Sequence, residues 1–321
     1  APGCRIGFIS FMTQNPEKIQ FSLHGQNDFI SGVSFAVRFR YVFGMAEYPT
    51  NRAARPGPRK RVVVLFVAGL ILVAAILAEL GARAAGYRPW VPGNPGISVS
   101  PGNHFFQKDE SLGWKHLAGR YVVTLKDNYQ FTVTHTSDTL RITRPLVEYD
   151  DAPSSPSVWL MGCSFTHGWS INDEETFPYL VQRQMPQTVV VNFGVSGYGV
   201  LHSVLQFRNA IKTFRKPQAA ILIYGSYLDD RTTFSRSRRK AVAPWNYLGL
   251  LRVPYARFDE NGEMKIQYTD ATYRPFPLMG HSAFVHLVEQ VYNRFEDAGL
   301  RSHELNRELL RVFRDDCLGH G

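Results

Sequence analysis

Residues 157–169 read SVWLMGCSFTHGW, a short apolar run that ends in a glycine and is followed by a serine between small or turn-forming residues. Such a run is typical of a buried parallel strand. A serine on a tight strand-to-helix turn stands clear of the sheet, where it could act as a nucleophile while main-chain N–H groups stabilise an oxyanion. Alternatively, Ser164 only caps the next helix, and spacing alone leaves both interpretations open.

Two further apolar runs resemble the first one, and helical patterns lie between them. The runs are TVVVNFG at 188–194 and AAILIYG at 219–225, and the helical patterns cover 173–185 and 200–214. Alternation of strands and helices predicts a doubly wound α/β domain with a parallel sheet over residues 153–321. Active sites of such folds lie at the carboxyl ends of the strands, so we expect the segments after the three runs to form a site.

The chain before this domain shows a different pattern. Residues 83–104 form a linker rich in Pro and Gly, which blocks regular structure. Alternating apolar residues at 121–125 and 129–133 flank the turn sequence KDN and predict a β-hairpin. We therefore assign residues 105–152 to a small β accessory region, which we expect to be a lid or a packing element of the α/β domain.

The formal net charge of +9 is concentrated near the N-terminus. Residues 1–61 contain nine Lys/Arg and three Asp/Glu, which leaves 27 and 24 for the other 260 residues. No recognition motif and no interleaving of aromatic with basic residues accompanies this charge. The sequence therefore argues against nucleic acid as a partner.

Residues 62–82, VVVLFVAGLILVAAILAELGA, are almost uninterrupted apolar residues. A helix needs roughly 20 such residues to cross a bilayer, so we expect a transmembrane helix here, with a cleaved signal peptide and a buried core helix as alternatives. The basic residues that precede the run outnumber those that follow it. By the positive-inside rule the N-terminus is then cytoplasmic and the chain after about residue 85 is extracytoplasmic, in the periplasm if the host is bacterial.

The first 44 residues form no domain-sized apolar pattern, and Met45 begins a stretch typical of a signal anchor. We expect either that Met45 is the natural start or that residues 1–61 are a genuine basic cytoplasmic tail. The three cysteines, Cys4, Cys163 and Cys317, are too scattered to predict a disulfide framework or a metal site. No group of His, Asp or Glu has metal-ligand spacing, and no cofactor is expected.

Two motifs together resemble a known family. GCSFTHGWSINDEETFPYLV at 162–181, followed by VVVNFGVSGYG at 189–199, resembles the first two motif blocks of the SGNH hydrolases, the GDSL-type esterases and lipases, in their bacterial membrane-anchored form. DESLGWKH at 109–116 and SDTLR at 137–141 resemble the region before the catalytic fold of those proteins. The resemblance covers about residues 105–321.

The resemblance implies a flavodoxin-like three-layer α/β/α fold and a serine mechanism. Ser164 corresponds to the nucleophile, and its N–H and that of Gly197 correspond to oxyanion donors. Cys163 replaces the Asp of the GDSL pattern, and we expect it to be a small buried side chain.

Two departures from the family pattern bear on catalysis. Leu228 or Asp229 stands where the third block supplies an oxyanion-binding Asn, and an ionised Asp229 would repel an oxyanion unless it is only a turn residue. The final D-x-x-H block is missing, since His320 follows Asp316 by four residues and lies beyond Gly319, where we expect the last helix to end. We therefore expect the sequence to be truncated, lacking a strand and the catalytic His and Asp.

Other residues have weaker functional interpretations. His167 could line the pocket beside Ser164, although a histidine there is a general base only if the geometry allows it. The basic run RSRRK at 236–240 is expected to lie in a solvated loop, or to meet an anionic glycan or lipid headgroup.

The resemblance and the predicted location imply an extracytoplasmic, membrane-tethered hydrolase of acyl oxygen esters, most plausibly acetyl esters, on a small molecule or a polysaccharide. Two alternatives stay open. One is a polysaccharide O-acetyltransferase of the same fold, and the other is a catalytically inactive module that binds envelope glycans or assists their assembly.

Overall fold

The computed structural model describes residues 58–92, 96–149 and 156–320. Met45 and nearly all of the predicted basic tail lie outside these residues. The first described element is helix α1, Pro58–Ala84, and its segment Val62–Ala84 has a mean hydropathy of 2.8. By length and composition alone, α1 is a candidate membrane span. A signal sequence would meet the same criteria. The helix up to Leu80 and the chain from Gly81 onward are separate compact units.

The accessory region is built of short antiparallel strands. They are β1 (Ser98–Ser100), β2 (Phe106–Asp109), β3 (Gly113–His116), β4 (Gly119–Thr124) and β5 (Gln130–His135). Strands β1, β4 and β5 form one sheet in that order, while β2 pairs with β3. The predicted hairpin is confirmed as β4–β5, with Val123 opposite Phe131 and with Asn128 in the left-handed conformation that its turn requires (φ 60°).

The predicted parallel sheet is also present. Its elements are β6 (Ser157–Met161), α2 (Ser164–His167), α3 (Phe177–Gln184), β7 (Val189–Asn192), α4 (Val200–Ala210) and β8 (Ala219–Leu222). Strand β6 lies between β7 and β8 and is parallel to both. Each strand is shorter than the apolar run that predicted it. The last residues of each run belong to the turn that leads to the next element.

Both faces of β6 are covered by helices. Trp159 points to one face and packs against Phe207 of α4, with ring centroids 5.7 Å apart. Val158 and Leu160 point to the other face and pack with Val181 of α3. Because successive side chains of a strand point to opposite faces, the mainly apolar run of β6 is explained by burial on both sides.

The remainder of the chain adds a helix, a hairpin and two long helices. They are α5 (Arg236–Val242), β9 (Arg252–Phe258), β10 (Met264–Asp270), α6 (Ala283–Gly299) and α7 (Ser302–His320). Phe313 of α7 contacts Phe207 of α4, with ring centroids 5.3 Å apart. The predicted helix end at Gly319 is wrong, since α7 continues to His320, which is therefore a helical residue instead of a loop residue.

The basic run at 236–240 does not form the expected solvated loop. It lies in α5, where Arg238 is buried and Lys240 Nζ contacts Glu289 Oε2 of α6 at 2.7 Å. Arg236 Nε lies 3.4 Å from Glu289 Oε1. Sequence alone could not reveal this, because Glu289, the buried carboxylate that pairs with Arg236 and Lys240, lies about fifty positions further along the chain.

The accessory region and the parallel-sheet region share one hydrophobic core. Phe105, Trp114 and Phe131 of the accessory region pack with Val195 and Tyr198, which follow β7. The accessory strands therefore help to build the surface onto which the carboxyl ends of the parallel strands open.

Candidate active site

The segments that follow the three parallel strands converge, as the sequence predicts. Cys163 follows β6, Tyr198 follows β7 and Leu228 follows β8, and all three line one cavity of about 10 Å³. A cavity of this size holds at most about one water molecule. Ser164, Gly197 and Asp229 are the chain neighbours of these three residues, and their assembly into one site stays a prediction.

Ser164 is the first residue of α2, directly after the turn that ends β6. Cys163 occupies the N-cap position, and no side-chain hydrogen bond caps this helix. The next helix, α3, is capped by Thr176, whose side chain accepts from the N–H of Tyr179. The structure therefore contradicts the alternative that Ser164 serves as a helix cap.

Ser164 is a half-buried residue, and its side chain makes no hydrogen bond to any residue within the described ranges. Cys163 before it is a buried side chain, as expected. Phe165 after it is exposed and meets the ring of Tyr227 edge-on, with centroids 5.8 Å apart. Ser164 thus lies in the chain between a buried cysteine and an exposed phenylalanine.

Close backbone packing holds the turn in place. A Cβ atom on Gly162 would lie 2.2 Å from Thr166 Oγ1 and 3.1 Å from Ile223 O. A Cβ atom on Gly194 would lie 2.2 Å from the backbone N of His167. Only glycine fits at these two positions, because the ends of β6 and β7 lie directly against the backbone and side chains of α2.

Gly197 has the left-handed φ of +87° and lies against two tryptophan rings, where a Cβ would meet Trp114 Cζ2 at 2.9 Å and Trp245 Cη2 at 3.3 Å. Trp114 Nε1 donates to Ser196 O at 2.9 Å. Because that carbonyl and the Gly197 N–H belong to one planar peptide, the indole fixes the direction of this N–H. Among the described residues the Gly197 N–H has no acceptor of its own.

The Asp229 carboxylate contacts three nearby side chains. Its carboxylate accepts from the Tyr224 hydroxyl and from Asn306 Nδ2 at 3.0 Å, and His303 Nδ1 lies 3.0 Å from Oδ2. Burial, followed by the hydrogen bond to Asp229, raises the pKa of Tyr224. Asp229 thereby ties its turn to α7, and its place in an oxyanion hole stays a prediction.

Sequence reasoning missed His303, which has no D-x-x-H spacing to indicate a role. Its contact with Asp229 has the arrangement of a histidine oriented by a carboxylate. No hydrogen bond within the described residues joins His303 to Ser164. The His303–Asp229 pair is therefore present, but no described hydrogen bond connects it to Ser164.

His167 does not line the pocket. Its ring is fully buried, and its Nε2 lies 3.0 Å from Nε2 of His135. The ring of His116 packs on both, so three histidines from β3, β5 and α2 form one cluster. Sequence spacing could not reveal it, because the three residues lie far apart in the chain.

A buried ion pair holds the loop after α2. Arg141 Nε contacts Asp173 Oδ1 at 3.0 Å, and both side chains are buried. The same guanidinium donates to the carbonyl oxygens of His167 at 2.9 Å, Thr132 at 3.0 Å and Ile171 at 2.8 Å. Arg141 thereby joins β5 of the accessory region to the segment that carries Ser164.

No protein-family model matches this chain, and no curated protein matches it. Among solved structures, the chain is similar to the crystal structure of AlinE4, a SGNH-hydrolase family esterase, and to two of its variants. The similarity to AlinE4 itself has 20% sequence identity and a TM-score of 0.23, and it covers 29% of this chain and 51% of that one. A serine-to-alanine variant gives 18% identity, a TM-score of 0.23 and the same coverage.

An aspartate-to-alanine variant of AlinE4 gives 16% identity and a TM-score of 0.22, over 43% of this chain and 74% of that one. The chain thus spans about half the length of the first two structures it matches. These neighbours are SGNH-family esterases, but at such TM-scores the similarity carries no argument about this chain.

Proposed function

We propose that this protein is an SGNH-type serine hydrolase that cleaves acyl oxygen esters, with acetyl esters as the first candidate substrates. One observation carries the proposal: Ser164 is a half-buried residue whose side chain has no hydrogen-bond partner among the described residues, and it begins α2 directly after β6, next to the cavity where the segments after the three parallel strands meet. The motifs around Ser164 and Gly197 support the same assignment. A complete three-layer α/β/α fold is part of this proposal.

In this mechanism Ser164 Oγ attacks the ester carbonyl carbon, and the carbonyl electron pair moves onto oxygen. The N–H groups of Ser164 and Gly197 donate to that oxyanion. Collapse expels the alcohol, which takes up the proton released by Ser164 Oγ, and leaves an acyl-serine. Water then adds to the acyl carbon, and its proton returns to Ser164 Oγ as the free acid leaves. Trp114 contributes indirectly, because its hydrogen bond to Ser196 O orients the Gly197 N–H.

The proposal places the catalytic unit outside the membrane and the N-terminus in the cytoplasm, with residues 62–82 as the tether. The candidate span and the excess of basic residues before it support this orientation. Acylated small molecules or cell-envelope polysaccharide are then the accessible substrates, without any nucleic-acid partner.

Hydrolysis of p-nitrophenyl acetate by the detergent-solubilised protein tests the proposal. We expect the wild-type protein to release p-nitrophenol faster than a Ser164→Ala variant that folds equally well. Ser170→Ala, which changes a serine in the loop directly after α2, is the matched control and should keep the wild-type rate. Equal rates for wild-type protein and Ser164→Ala would remove Ser164 from the mechanism.

A second candidate function is a non-catalytic module that binds envelope glycans. Two observations favour it: the carboxylate of Asp229 is occupied by its neighbours, and no described base contacts Ser164. Retention of an acetylated glycan by both wild-type protein and Ser164→Ala, without turnover, would select this function. Transfer of acetyl to an added sugar in preference to water would instead select an O-acetyltransferase, which uses the same acyl-enzyme.

A further inference from the structure

Three histidine side chains meet in the interior, away from the Ser164 hydroxyl. His116 ends β3, His135 ends β5 and His167 ends α2, and each is at most 2% exposed. One ring nitrogen from each lies within 4.8 Å of the other two. Phe105 packs against all three rings, so the surroundings of the cluster are largely apolar.

A backbone carbonyl orients one of the three rings. His135 Nδ1 lies 2.9 Å from Leu117 O, so this nitrogen carries the proton and its Nε2 presents a lone pair. His116 Nε2 is buried and has no partner within the described residues. A ring N–H held by a backbone carbonyl is the arrangement that orients metal-binding histidines.

The cluster favours neutral imidazoles with available lone pairs. Burial lowers the pKa of His135 to about 3, and burial also holds the pKa values of His116 and His167 well below the usual range. His167 Nδ1, like His116 Nε2, is buried and has no partner among the described residues. The protein's own groups therefore leave part of the hydrogen-bonding capacity of these rings unused.

We propose that His116, His135 and His167 bind one divalent transition-metal ion of the kind that prefers imidazole ligands, with Zn²⁺ as the first candidate. Three neutral imidazoles at close range are a known ligand set for Zn²⁺, in which a fourth position stays open. No spacing in the sequence indicates this site, and it plays no part in the proposed ester hydrolysis.

Metal binding requires a local rearrangement of the rings. In a tetrahedral zinc site with bonds of about 2.0–2.1 Å, ligand nitrogens lie about 3.4 Å apart. The wider separations in the cluster, up to 4.8 Å, must therefore shorten, whereas His135 Nε2 and His167 Nε2, now 3.0 Å apart, must give up their mutual hydrogen bond if both bind the ion. The rings of His116 and His135 are stacked, with centroids 4.1 Å apart and an angle of 8° between their planes. Because imidazole lone pairs lie in the ring plane, these two rings must tilt apart to share an ion.

The ion would act as a cross-link. His116 and His135 belong to the accessory strands, whereas His167 ends the short helix that Ser164 begins. A bound ion would join these elements beneath the turn. We therefore expect it to raise the resistance of the whole unit to unfolding, since an ion that binds only the folded state stabilises that state.

Zinc content and thermal unfolding of the detergent-solubilised protein test the site. The protein is stripped with a chelator, equilibrated with Zn²⁺, freed of excess ion and measured by elemental mass spectrometry. We expect about one tightly held Zn²⁺ per chain and a higher unfolding temperature than in the stripped protein. A stripped protein that takes up no Zn²⁺ and unfolds at an unchanged temperature would overturn the proposal.

Variants locate the ion. His116→Gln and His135→Gln should each lose the retained Zn²⁺ and the thermal shift, whereas His202→Phe, which removes a buried histidine outside the cluster, should keep both. Retention of Zn²⁺ by a folded His135→Gln variant would place the ion elsewhere and refute the proposal. None of these readouts depends on esterase activity, so failure of the proposed function would leave this test unaffected.

If both cluster variants fail to fold, X-ray absorption of the zinc-loaded wild-type protein decides. Three imidazole nitrogens in the first coordination shell are expected. A shell with fewer than three would overturn the assignment.

Discussion

Single glycines set how closely the strand ends approach the helix that begins with Ser164. Of these glycines, Gly194 lies closest to neighbouring backbone atoms. A Cβ there would lie 2.2 Å from the N of His167 and 2.6 Å from the carbonyl carbon of Thr166. Neither atom belongs to a flexible side chain, so relief requires a shift of α2 itself. Sequence reasoning identified the glycine that ends this strand run but could not foresee what it touches.

Gly194→Ala should therefore lower the free energy of unfolding by about 3 kcal/mol or more, at the upper end of what overpacking costs. Gly299→Ala is the control, because this position lies in α6 with nothing within 4 Å of the added Cβ. The Gly299→Ala variant should be more stable than the wild-type protein by about 0.5–1 kcal/mol, the usual gain from replacing Gly in a helix. Chemical denaturation measures the free energy of unfolding of both variants. Similarly small changes in the two would contradict the close packing of Gly194 against α2.

Trp114→Phe tests whether the indole N–H positions the Gly197 amide. The variant keeps an aromatic ring against Gly197 but loses the donor to Ser196 O. If the proposed ester hydrolysis holds, kcat should fall about tenfold with little change in KM, since a misaligned donor weakens mainly the transition state. Trp245→Phe, beside the same glycine, should change kcat much less, and equal effects of the two variants would argue against positioning by Trp114.

Contacts between elements depend on buried charges that pair over long distances in sequence. Arg141 links β5 to the loop after α2, and its partner Asp173 is equally buried. Removing one member of such a pair leaves an uncompensated charge in the interior. Arg141→Met should therefore destabilise the protein by about 3–5 kcal/mol.

A double-mutant cycle measures that coupling. Combining Arg141→Met with Asp173→Asn should recover part of the lost stability, because the remaining partner no longer carries a buried charge. Additive losses would show that the two side chains act independently. The free energy of unfolding from denaturant titration is the quantity compared.

The strands of the parallel sheet could be predicted, because burial on both faces produces a continuous apolar run. The β4–β5 hairpin could be predicted, because burial on one face produces alternating apolar residues. The environment of charged and titratable side chains could not. The basic run of α5 was expected to be solvated, yet Arg238 is buried and Lys240 pairs with Glu289. The histidine cluster and the His303–Asp229 contact likewise arise only when distant segments meet.

Considered as a whole, the molecule buries histidines that cannot easily accept a proton. His202 is fully buried beside Trp114 and Tyr198. Burial, followed by the nearby charges of Arg238 and Arg231, holds its pKa well below the usual 6.5. Below pH 6.5 the unfolded chain therefore binds a proton that the folded protein does not.

The stability that neutral His202 contributes is consequently present above pH 6.5 and is lost as the pH falls below it. We expect each pH unit of acidification to cost up to about 1.4 kcal/mol from this group. His202→Phe should reduce the slope of unfolding free energy against pH by that amount in metal-free protein. An unchanged slope between pH 6.5 and 5 would contradict the buried, neutral state of His202.

The proposed function requires the Ser164 hydroxyl to act as an acyl-accepting nucleophile. Covalent labelling of the folded protein with a fluorophosphonate, followed by peptide mass spectrometry, is the decisive test. The expected result is one adduct, on Ser164, which disappears in Ser164→Ala but persists in Ser170→Ala. A folded protein that remains unlabelled, or an adduct at another residue with Ser164 unmodified, would contradict the claim.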